Sequence, residues 1–250
     1  MKERTSVEGF VIREYKTLDS TNSEARRYAM NGGAVPALFI AEEQTAGRGR
    51  MGRSFYSPAK SGLYMSLLLD VTFDPPTSVV KLTCAAAVAS ARAVERILGV
   101  STDIKWVNDL YLNGKKVSGI LAEAFSVEDK RYVVVGVGVN ISTADFPSEL
   151  ENIATSLTTE RVDGVAPLLG EAIGSELLDI YADVCEGGSF IEEYRARSMV
   201  LGKQITYFVN GESTTGVAVD ITDSGGLVVE KENGVIETLA SGEITLRLSE

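Results

Sequence analysis

The dipeptide Asn113-Gly114 constrains the fold of this chain more than any other short feature. It separates two runs that alternate polar and apolar residues, DIKWVNDLYL and KKVSGILAEAF, within residues 103–125. Asn-Gly is the pair that a two-residue β-hairpin turn favours, because both central residues of that turn adopt positive φ angles. A hairpin joins antiparallel strands, so the sequence predicts a sheet that is largely antiparallel.

The other segments predict an α/β domain built around this sheet. Apolar runs bounded by turn residues predict further strands, at 10–18, 37–44, 61–71 and 131–142. Apolar periodicity and helix-end signals predict helices, at 19–33, 78–98, 147–160, 165–186 and 189–199. Thr21 and Glu24 have the spacing of a capping box, which predicts where the first helix begins. The expected fold is therefore a mixed, mostly antiparallel sheet with packed helices.

The last fifty residues change character. Short apolar runs alternate there with turn signals, which are Asn210-Gly211, Ser224-Gly225-Gly226, Asn233-Gly234 and Ser241-Gly242. Many short strands at this spacing predict a small β-barrel. We place the boundary near Leu201-Gly202, which gives a larger domain of residues 1–200 and a barrel domain of residues 201–250.

The segment EQTAGRGRMGRSF, residues 43–55, contains the glycine pattern of a dinucleotide-binding turn. That turn must follow a strand and open a helix, whose N-terminus receives the pyrophosphate. Here Pro58 and Gly62 follow, and then another strand, so the context excludes a dinucleotide fold. Arg48, Arg50 and Arg53 instead suggest a loop that surrounds an anion. Spacing alone favours this interpretation no more than a solvated loop whose arginines pair with surface acids.

The amino-acid composition excludes several kinds of ligand and catalytic chemistry. The chain carries a formal charge of −11, which argues against a broad nucleic-acid surface, and it has no histidine, which excludes histidine-based nucleophilic systems. Cys84 and Cys185 lack metal-binding or redox spacing, so we expect free thiols. The sequence shows neither a signal peptide nor a membrane helix. We therefore expect a cytoplasmic protein that binds neither nucleic acid nor membrane.

Four motifs together resemble those of the biotin–protein ligase family. They are STN at 20–22, EEQTAGRGRMGRSFYSP at 42–58, KWVNDLYLNGKKVSGILAE at 105–123 and VVVGVGVNI at 133–141. Their order and separations match the family pattern, and the likeness extends over nearly the whole chain. The resemblance implies a catalytic domain like those of class II aminoacyl-tRNA synthetases and biotin ligases, followed by an SH3-like barrel.

The resemblance also implies an activity. Such a ligase uses Mg-ATP to convert biotin into biotinyl-5′-AMP, and then transfers biotin to one lysine of a biotin carboxyl carrier protein. ATP and biotin would be the substrates and Mg²⁺ the accompanying metal. A homodimer is expected because the family often forms one. Some members carry an N-terminal helix-turn-helix domain, and the early position of the motifs leads us to expect none here and no DNA binding.

The resemblance assigns a biotin and adenylate site to several residues. Ser20, Thr21 and Asn22 would contact the biotin ring and its ureido group, although their spacing alone favours helix capping. The other residues expected to bind biotin or the adenylate are Gln44, Gly47, Arg48, Gly49, Arg50, Lys116, Gly119 and Gly136. Lys116, Arg48 and Arg50 would be the catalytic residues, and Lys115 would face the opposite side of its strand. Close packing is the alternative interpretation of Gly119 and Gly136.

A second group of residues is assigned to the nucleotide. It comprises Arg50, Arg53, Phe55, Asn108, Asp109 and Asn140, with Asp109 as a Mg²⁺ ligand. Trp106 is expected in the core. Two positions depart from the family pattern: Val107 replaces a usual Pro, which predicts a less rigid turn, and Phe55 replaces a Trp found in some members, which retains stacking.

Two other functions fit the same features. A lipoate–protein ligase shares the fold and the acyl-adenylate chemistry, although the GRGRMGR loop and the barrel favour biotin. A regulator that binds biotin or a nucleotide without catalysis would use the barrel to hold a partner protein.

Overall fold

The computed structural model describes residues 1–6, 9–71, 78–143, 145–209, 212–240 and 244–246. An eight-stranded sheet occupies the larger part of the chain. In chain order its strands are β1 (Lys2–Thr5), β2 (Val11–Leu18), β3 (Ala37–Gln44), β4 (Gly62–Asp70), β5 (Asp103–Lys105), β6 (Asp109–Leu112), β7 (Lys115–Val127) and β8 (Lys130–Asn140). Across the sheet their order is β1-β2-β3-β4-β8-β7-β6-β5.

Among these strands β2 and β3 are parallel, and every other neighbouring pair is antiparallel. The predicted mixed, mostly antiparallel sheet is therefore confirmed. The hairpin between β6 and β7 turns at Asn113 and Gly114, whose φ angles are 52° and 77°. Both angles are positive, as the Asn-Gly pair predicted.

Four α-helices accompany the sheet in the described part of the chain. They are α1 (Thr21–Met30), α2 (Val79–Leu98), α3 (Val165–Cys185) and α4 (Ile191–Ala196). Helices α2 and α3 cover one face with the main apolar core, whereas α1 packs on the other face in a smaller cluster around Phe39, Leu68 and Val134. Helix α1 connects the parallel strands β2 and β3, so its first turn lies at the edge where both strands end. That arrangement brings Thr21 beside Gln44.

Three local predictions differ from the structure: a helix cap, a helix that is absent and a helix that is shorter than predicted. Ser20 rather than Thr21 is the N-cap of α1, and its side chain makes no capping hydrogen bond within the described residues. Residues 147–160 form turns and extended segments instead of a helix. Their backbone groups bond to the ends of β7 and β8, for example Thr155 N–H to Lys116 O and Leu157 N–H to Asn140 O. The helix predicted at 189–199 is confined to α4.

The C-terminal part forms a separate five-stranded antiparallel sheet. Its strands are β9 (Gln204–Val209), β10 (Glu212–Ile221), β11 (Leu227–Glu230), β12 (Ile236–Leu239) and β13 (Ile244–Leu246), in the order β12-β11-β10-β9-β13. This arrangement is consistent with the expected SH3-like barrel. The predicted turns at Ser224–Gly226 and Asn233-Gly234 are present. Those at Asn210-Gly211 and Ser241-Gly242 include positions outside the described residues.

Among the described residues, Cys84 and Cys185 form no disulfide bond. Burial raises the pKa of the Cys84 thiol to about 12, so this residue stays protonated and unreactive. Trp106 is buried in the core, which confirms its predicted place. Among the described residues, none of the helices is long and apolar enough to cross a lipid bilayer.

Candidate active site

A cleft of about 480 Å³ opens on the α1 face of the large sheet. Three glycines of the central strands form part of its floor: Gly136, and the cross-strand partners Gly119 and Gly138. Twelve of the residues assigned from the sequence line this cleft: Ser20, Thr21, Asn22, Gln44, Arg48, Gly49, Arg50, Phe55, Asn108, Lys116, Gly119 and Gly136.

A neighbouring cavity of about 1390 Å³ contains three more of the assigned residues, Arg53, Asp109 and Asn140. The two cavities share part of their lining, namely Gly49, Arg50, Phe55, Asn108 and Lys116. Gly47 lines neither cavity. A Cβ atom there would lie 2.5 Å from Phe55 O and 2.6 Å from Ser57 Oγ, so Gly47 allows close packing at the base of the loop.

One end of the cleft is a hydrogen-bonding recess formed by α1 and β3. Thr21 N–H donates to Gln44 Oε1 (2.8 Å), and Thr21 Oγ1 lies 3.1 Å from the same oxygen. Gln44 Nε2 donates to Ser57 Oγ (3.1 Å), which fixes the orientation of its amide. The Ser20 side chain also lines this end and is only 4% exposed.

Ser66 lies beneath this recess and is completely buried. Its Oγ is 2.7 Å from Thr21 Oγ1 and 2.6 Å from Asn22 Oδ1. The Ser66 proton serves one of these two oxygens, and the Thr21 proton serves either Ser66 or Gln44. When Thr21 donates to Gln44 and accepts from Ser66, one acceptor lone pair is left for a ligand in the cleft.

Asn22 is held from three sides. Its Nδ2 donates to Leu121 O (3.2 Å) and to Glu123 Oε2 (2.8 Å), while its Oδ1 receives Ser66. Gly136 makes room for it, because a Cβ at that position would lie 2.2 Å from Asn22 Oδ1. The close-packing interpretation of Gly136 is therefore the one that the geometry supports.

The arginine loop runs along the other side of the cleft. Gly49 N–H donates to Arg53 O (2.7 Å), which closes the loop on itself. Arg48 Nη2 lies 3.3 Å from Glu123 Oε2. Arg50 Nη1 donates to Asn108 Oδ1 (3.1 Å), and Asn108 Nδ2 donates to Ile120 O (3.0 Å). Both arginines thus contact residues in or next to the sheet, although the Arg48 side chain stays half-exposed.

Lys116 supplies a third cation. Its Nζ lies 2.7 Å from Asp109 Oδ1. Lys115 points elsewhere and donates to Glu151 O, so the prediction that the two lysines face different sides is confirmed. Phe55 covers the floor between the two cavities, since a Cβ at Gly138 would lie 2.5 Å from its ring. Three cations against two carboxylates make this side of the cleft suited to an anionic ligand.

Two contributors escaped the sequence assignment: Ser66 and Glu123. Ser66 is the only serine in a largely apolar strand, and such a buried polar residue needs a partner. That signal was present in LYMSLLLD. Nothing local to Glu123 indicated that it reaches Asn22, which is 101 positions away in the chain.

Comparison with known proteins identifies the family. Residues 16–140 match the Biotin/lipoate A/B protein ligase family, and residues 200–247 match the Biotin protein ligase C terminal domain. The chain belongs to the biotin/lipoate protein ligase family. It is 36% identical to the Bifunctional ligase/repressor BirA of Bacillus subtilis, over 97% of this chain and 76% of that protein.

Two further ligase-family comparisons cover most of both chains. The Biotin--[acetyl-CoA-carboxylase] ligase of Mycobacterium tuberculosis is 32% identical over 91% of this chain and 86% of that protein. The biotin protein ligase of Aquifex aeolicus, solved in complex with biotin and ATP, superposes with a TM-score of 0.81 at 28% identity. The superposition covers 95% of this chain and 99% of that one. The ligase fold therefore extends over both sheets.

Proposed function

We propose that this protein is a biotin–protein ligase. It forms biotinyl-5′-AMP from biotin and ATP, and then transfers biotin to a lysine of a carboxylase biotinyl domain. One observation carries the proposal: Lys116 and Arg50 line both the cleft with the hydrogen-bonding recess and the adjoining larger cavity. Adenylation requires a carboxylate and an α-phosphate to meet, and the shared wall is where an acid in one cavity would meet a nucleotide in the other.

The recess favours biotin over lipoate. Thr21 lines the cleft and would present one acceptor lone pair to it when its own proton is bonded to Gln44 and Ser66 donates to it. A ureido group brings N–H donors to such acceptors, whereas a dithiolane ring brings none. A buried site built to accept hydrogen bonds discriminates strongly against a ligand that cannot donate them.

The first step joins two anions. A biotin carboxylate oxygen attacks the α-phosphorus, a new P–O bond forms, and the bond to the β-phosphate breaks as pyrophosphate leaves. Lys116, Arg48 and Arg50 would neutralise the approaching charges and orient them, which are the main requirements of phosphoryl transfer. In the second step the substrate amine attacks the acyl carbon. The C–N bond forms, the bond to AMP breaks, and the amine loses a proton.

Mg²⁺ would accompany ATP and neutralise its phosphates. The described residues contain no cluster of three or more acidic or sulfur ligands that could hold a metal alone. Asp109 and Asn108 in the larger cavity fit a Mg²⁺ ion that keeps its phosphate and water ligands, because Mg²⁺ commonly takes only one or two protein carboxylates.

Further parts of the proposal rest on the family resemblance. We place the protein in the cytoplasm, assign it a homodimeric state and put the domain boundary at residues 200 and 201. The change from the eight-stranded to the five-stranded sheet between α4 and β9 supports that boundary. Sedimentation equilibrium of the purified chain, with and without biotin and ATP, tests the dimer.

The decisive assay mixes the protein with biotin, Mg-ATP and a biotin carboxyl carrier domain. We expect biotin-dependent pyrophosphate release and one added biotin on a carrier lysine, detected by mass spectrometry. Pyrophosphate release distinguishes an enzyme from a non-catalytic binder, and replacing biotin with lipoate should abolish the signal. A folded protein that releases no pyrophosphate and leaves the carrier unmodified would refute the proposal.

Lys116→Ala makes the proposal residue-specific. We expect the adenylation rate to fall by about 100-fold or more, since removing one preorganised charge-stabilising group typically costs that much. Lys115→Ala is the matched control, because this adjacent lysine bonds Glu151 O outside the cleft. An unchanged adenylation rate in Lys116→Ala, with normal thermal stability, would remove Lys116 from the catalytic site.

A further inference from the structure

We infer that Glu123 is a positioning residue that connects the two ends of the cleft. A single carboxylate oxygen, Oε2, accepts Asn22 Nδ2 (2.8 Å) and lies 3.3 Å from Arg48 Nη2. Asn22 belongs to the α1 recess and Arg48 to the arginine loop. The inference rests on the proposed function and adds to it a residue that would act through these two neighbours.

The Asn22 contact gives the recess a fixed wall. Both hydrogens of its amide are used, by Leu121 O and Glu123 Oε2, and its oxygen receives Ser66. Asn22 is only 4% exposed, so an unpaired amide hydrogen would be costly there. With both amide hydrogens committed within the protein, Asn22 supports the recess instead of donating to the ligand, and Glu123 is the charged member of that support.

The Arg48 contact acts on the loop. Arg48 is half-exposed, and Glu123 and Ser23 Oγ (3.4 Å) hold its guanidinium over the cleft. A long side chain that is already directed inward loses less conformational freedom when a ligand binds. Glu123 thus holds Arg48 in an orientation suited to bind an anion. Such a partly exposed pair contributes little to folding stability, so its effect belongs to ligand binding and catalysis.

Two substitutions separate the contacts. Glu123→Ala removes both, whereas Glu123→Gln keeps an oxygen that can accept Asn22 and loses the charge that faces Arg48. Glu171→Gln is the matched control, because the Arg4–Glu171 pair has side-chain exposures of 43% and 26%, close to the 46% and 25% of Arg48 and Glu123. Glu171 lies in α3, away from both cavities.

Biotin binding is measured by titration calorimetry without ATP, and adenylation by pyrophosphate release. We expect Glu123→Ala to raise the biotin Kd about tenfold, as loss of an acceptor for a buried donor predicts. Glu123→Gln should keep the biotin Kd within about twofold of the parent, yet lower the adenylation rate about threefold to tenfold through Arg48. Glu171→Gln should match the parent in both measurements.

The outcomes distinguish the inference from the proposed function. If the parent binds biotin and releases pyrophosphate, and both Glu123 variants match it, the positioning role is wrong and the ligase assignment stands. Equal losses in the Glu123 and Glu171 variants would also overturn the role, because any ion pair would then suffice. A parent that neither binds biotin nor releases pyrophosphate would overturn the function, and the inference with it.

Discussion

Ser66 shows how a single hydroxyl can organise the recess without touching a ligand. It lies within 2.7 Å of Thr21 Oγ1 and 2.6 Å of Asn22 Oδ1 and is completely buried. Ser66→Ala would leave one buried oxygen, Thr21 Oγ1 or Asn22 Oδ1, without its donor, which costs about 1–3 kcal/mol. We expect the biotin Kd, measured by titration calorimetry, to rise about tenfold.

Ser90→Ala is the control for the Ser66 prediction. Ser90 is also completely buried, on α2, but its Oγ has no hydrogen-bond partner among the described residues. Losing that hydroxyl breaks no bond, so biotin affinity should stay at the parent value. Equal affinities of Ser66→Ala and the parent would show that the recess does not depend on this hydroxyl.

At the residue scale, most of the side chains that line the cleft could be predicted from the sequence. The residues that hold those side chains in place, such as Ser66 and Glu123, could not. Lys116 could be separated from Lys115 because strand alternation is a local rule. The contact from Ser66 to Asn22 depends instead on how α1 lies across β4, and that geometry has no local signature. Family likeness assigned a ligand-reading role to Asn22, whereas its committed hydrogen bonds favour a supporting one.

At the scale of elements, helix capping and tertiary contacts compete for the Thr21 hydroxyl at the start of α1. The predicted capping box placed Thr21 at the cap, but its hydroxyl is used by Gln44 and Ser66 instead. Asp19 Oδ1 accepts Ser20 N–H (2.8 Å) and pairs with Arg27 (2.7 Å), and so fixes the approach to the helix. Tertiary contacts at the cleft thus override a sound local signal.

Asp19 leads to a prediction about acid stability. The Arg27 guanidinium lowers the pKa of Asp19 from 3.8 to about 2. Because the folded-state pKa is depressed, ionised Asp19 stabilises the fold above pH 3.8, and this contribution is lost as the pH falls toward 2. We expect Asp19→Asn to weaken the fold at pH 5 and to make the free energy of unfolding less dependent on pH between 4 and 2.5.

Urea unfolding at several pH values measures this difference. Asp163→Asn serves as the control, because the Asp163 side chain is 83% exposed beside Arg161. The control should follow the parent curve throughout. Parallel curves for Asp19→Asn and the parent would mean that the Asp19–Arg27 contact contributes nothing in acid.

Secondary-structure prediction succeeded where the apolar pattern was strong. It failed for β1, which is an edge strand of the large sheet, and for residues 147–160, which bond to the ends of β7 and β8. The strand at Ala37–Gln44 and the hairpin at Asn113-Gly114 follow from apolar runs and turn chemistry. Strand β1 was missed because all four of its residues are exposed and give no apolar pattern. The segment 147–160 has no independent core, so bonds to β7 and β8 decide its conformation.

At the scale of the whole molecule, the two sheets meet at the turn Ser224–Gly226. Trp106 Nε1 donates to Gly225 O (2.9 Å), and Cys84 on α2 lies against the same carbonyl. Arg195 on α4 pairs with Asp220 (2.8 Å) in the smaller sheet. No sequence pattern indicated these contacts, because turn residues predict local geometry and not what the turn touches. Trp106 comes just before Asn108 and Asp109, so this junction supports the larger cavity.

Gly225→Ala tests that coupling. A Cβ at Gly225 would lie 2.9 Å from Cys84 Sγ and 3.2 Å from Val80 Cγ1, so the turn must move away from α2 and Trp106. Gly234→Ala is the matched control: its φ is +78° against +85° for Gly225, but nothing lies within 4 Å of its added Cβ. Both variants carry about 1–2 kcal/mol of left-handed backbone strain, and only one disturbs the junction.

We expect both variants to melt a few degrees lower than the parent, because about 1 kcal/mol shifts the Tm by roughly 2–4 °C in a chain of this size. Gly225→Ala should in addition raise the KM for ATP about threefold or more while leaving the biotin Kd unchanged, since Asn108 and Asp109 line the larger cavity. Steady-state pyrophosphate release at varied ATP measures the first quantity and calorimetry the second. If both glycine variants share the parent's KM for ATP, the barrel does not support the nucleotide side of the site. If the KM for ATP rises equally in Gly225→Ala and Gly234→Ala, the effect comes from a destabilised barrel and not from this junction.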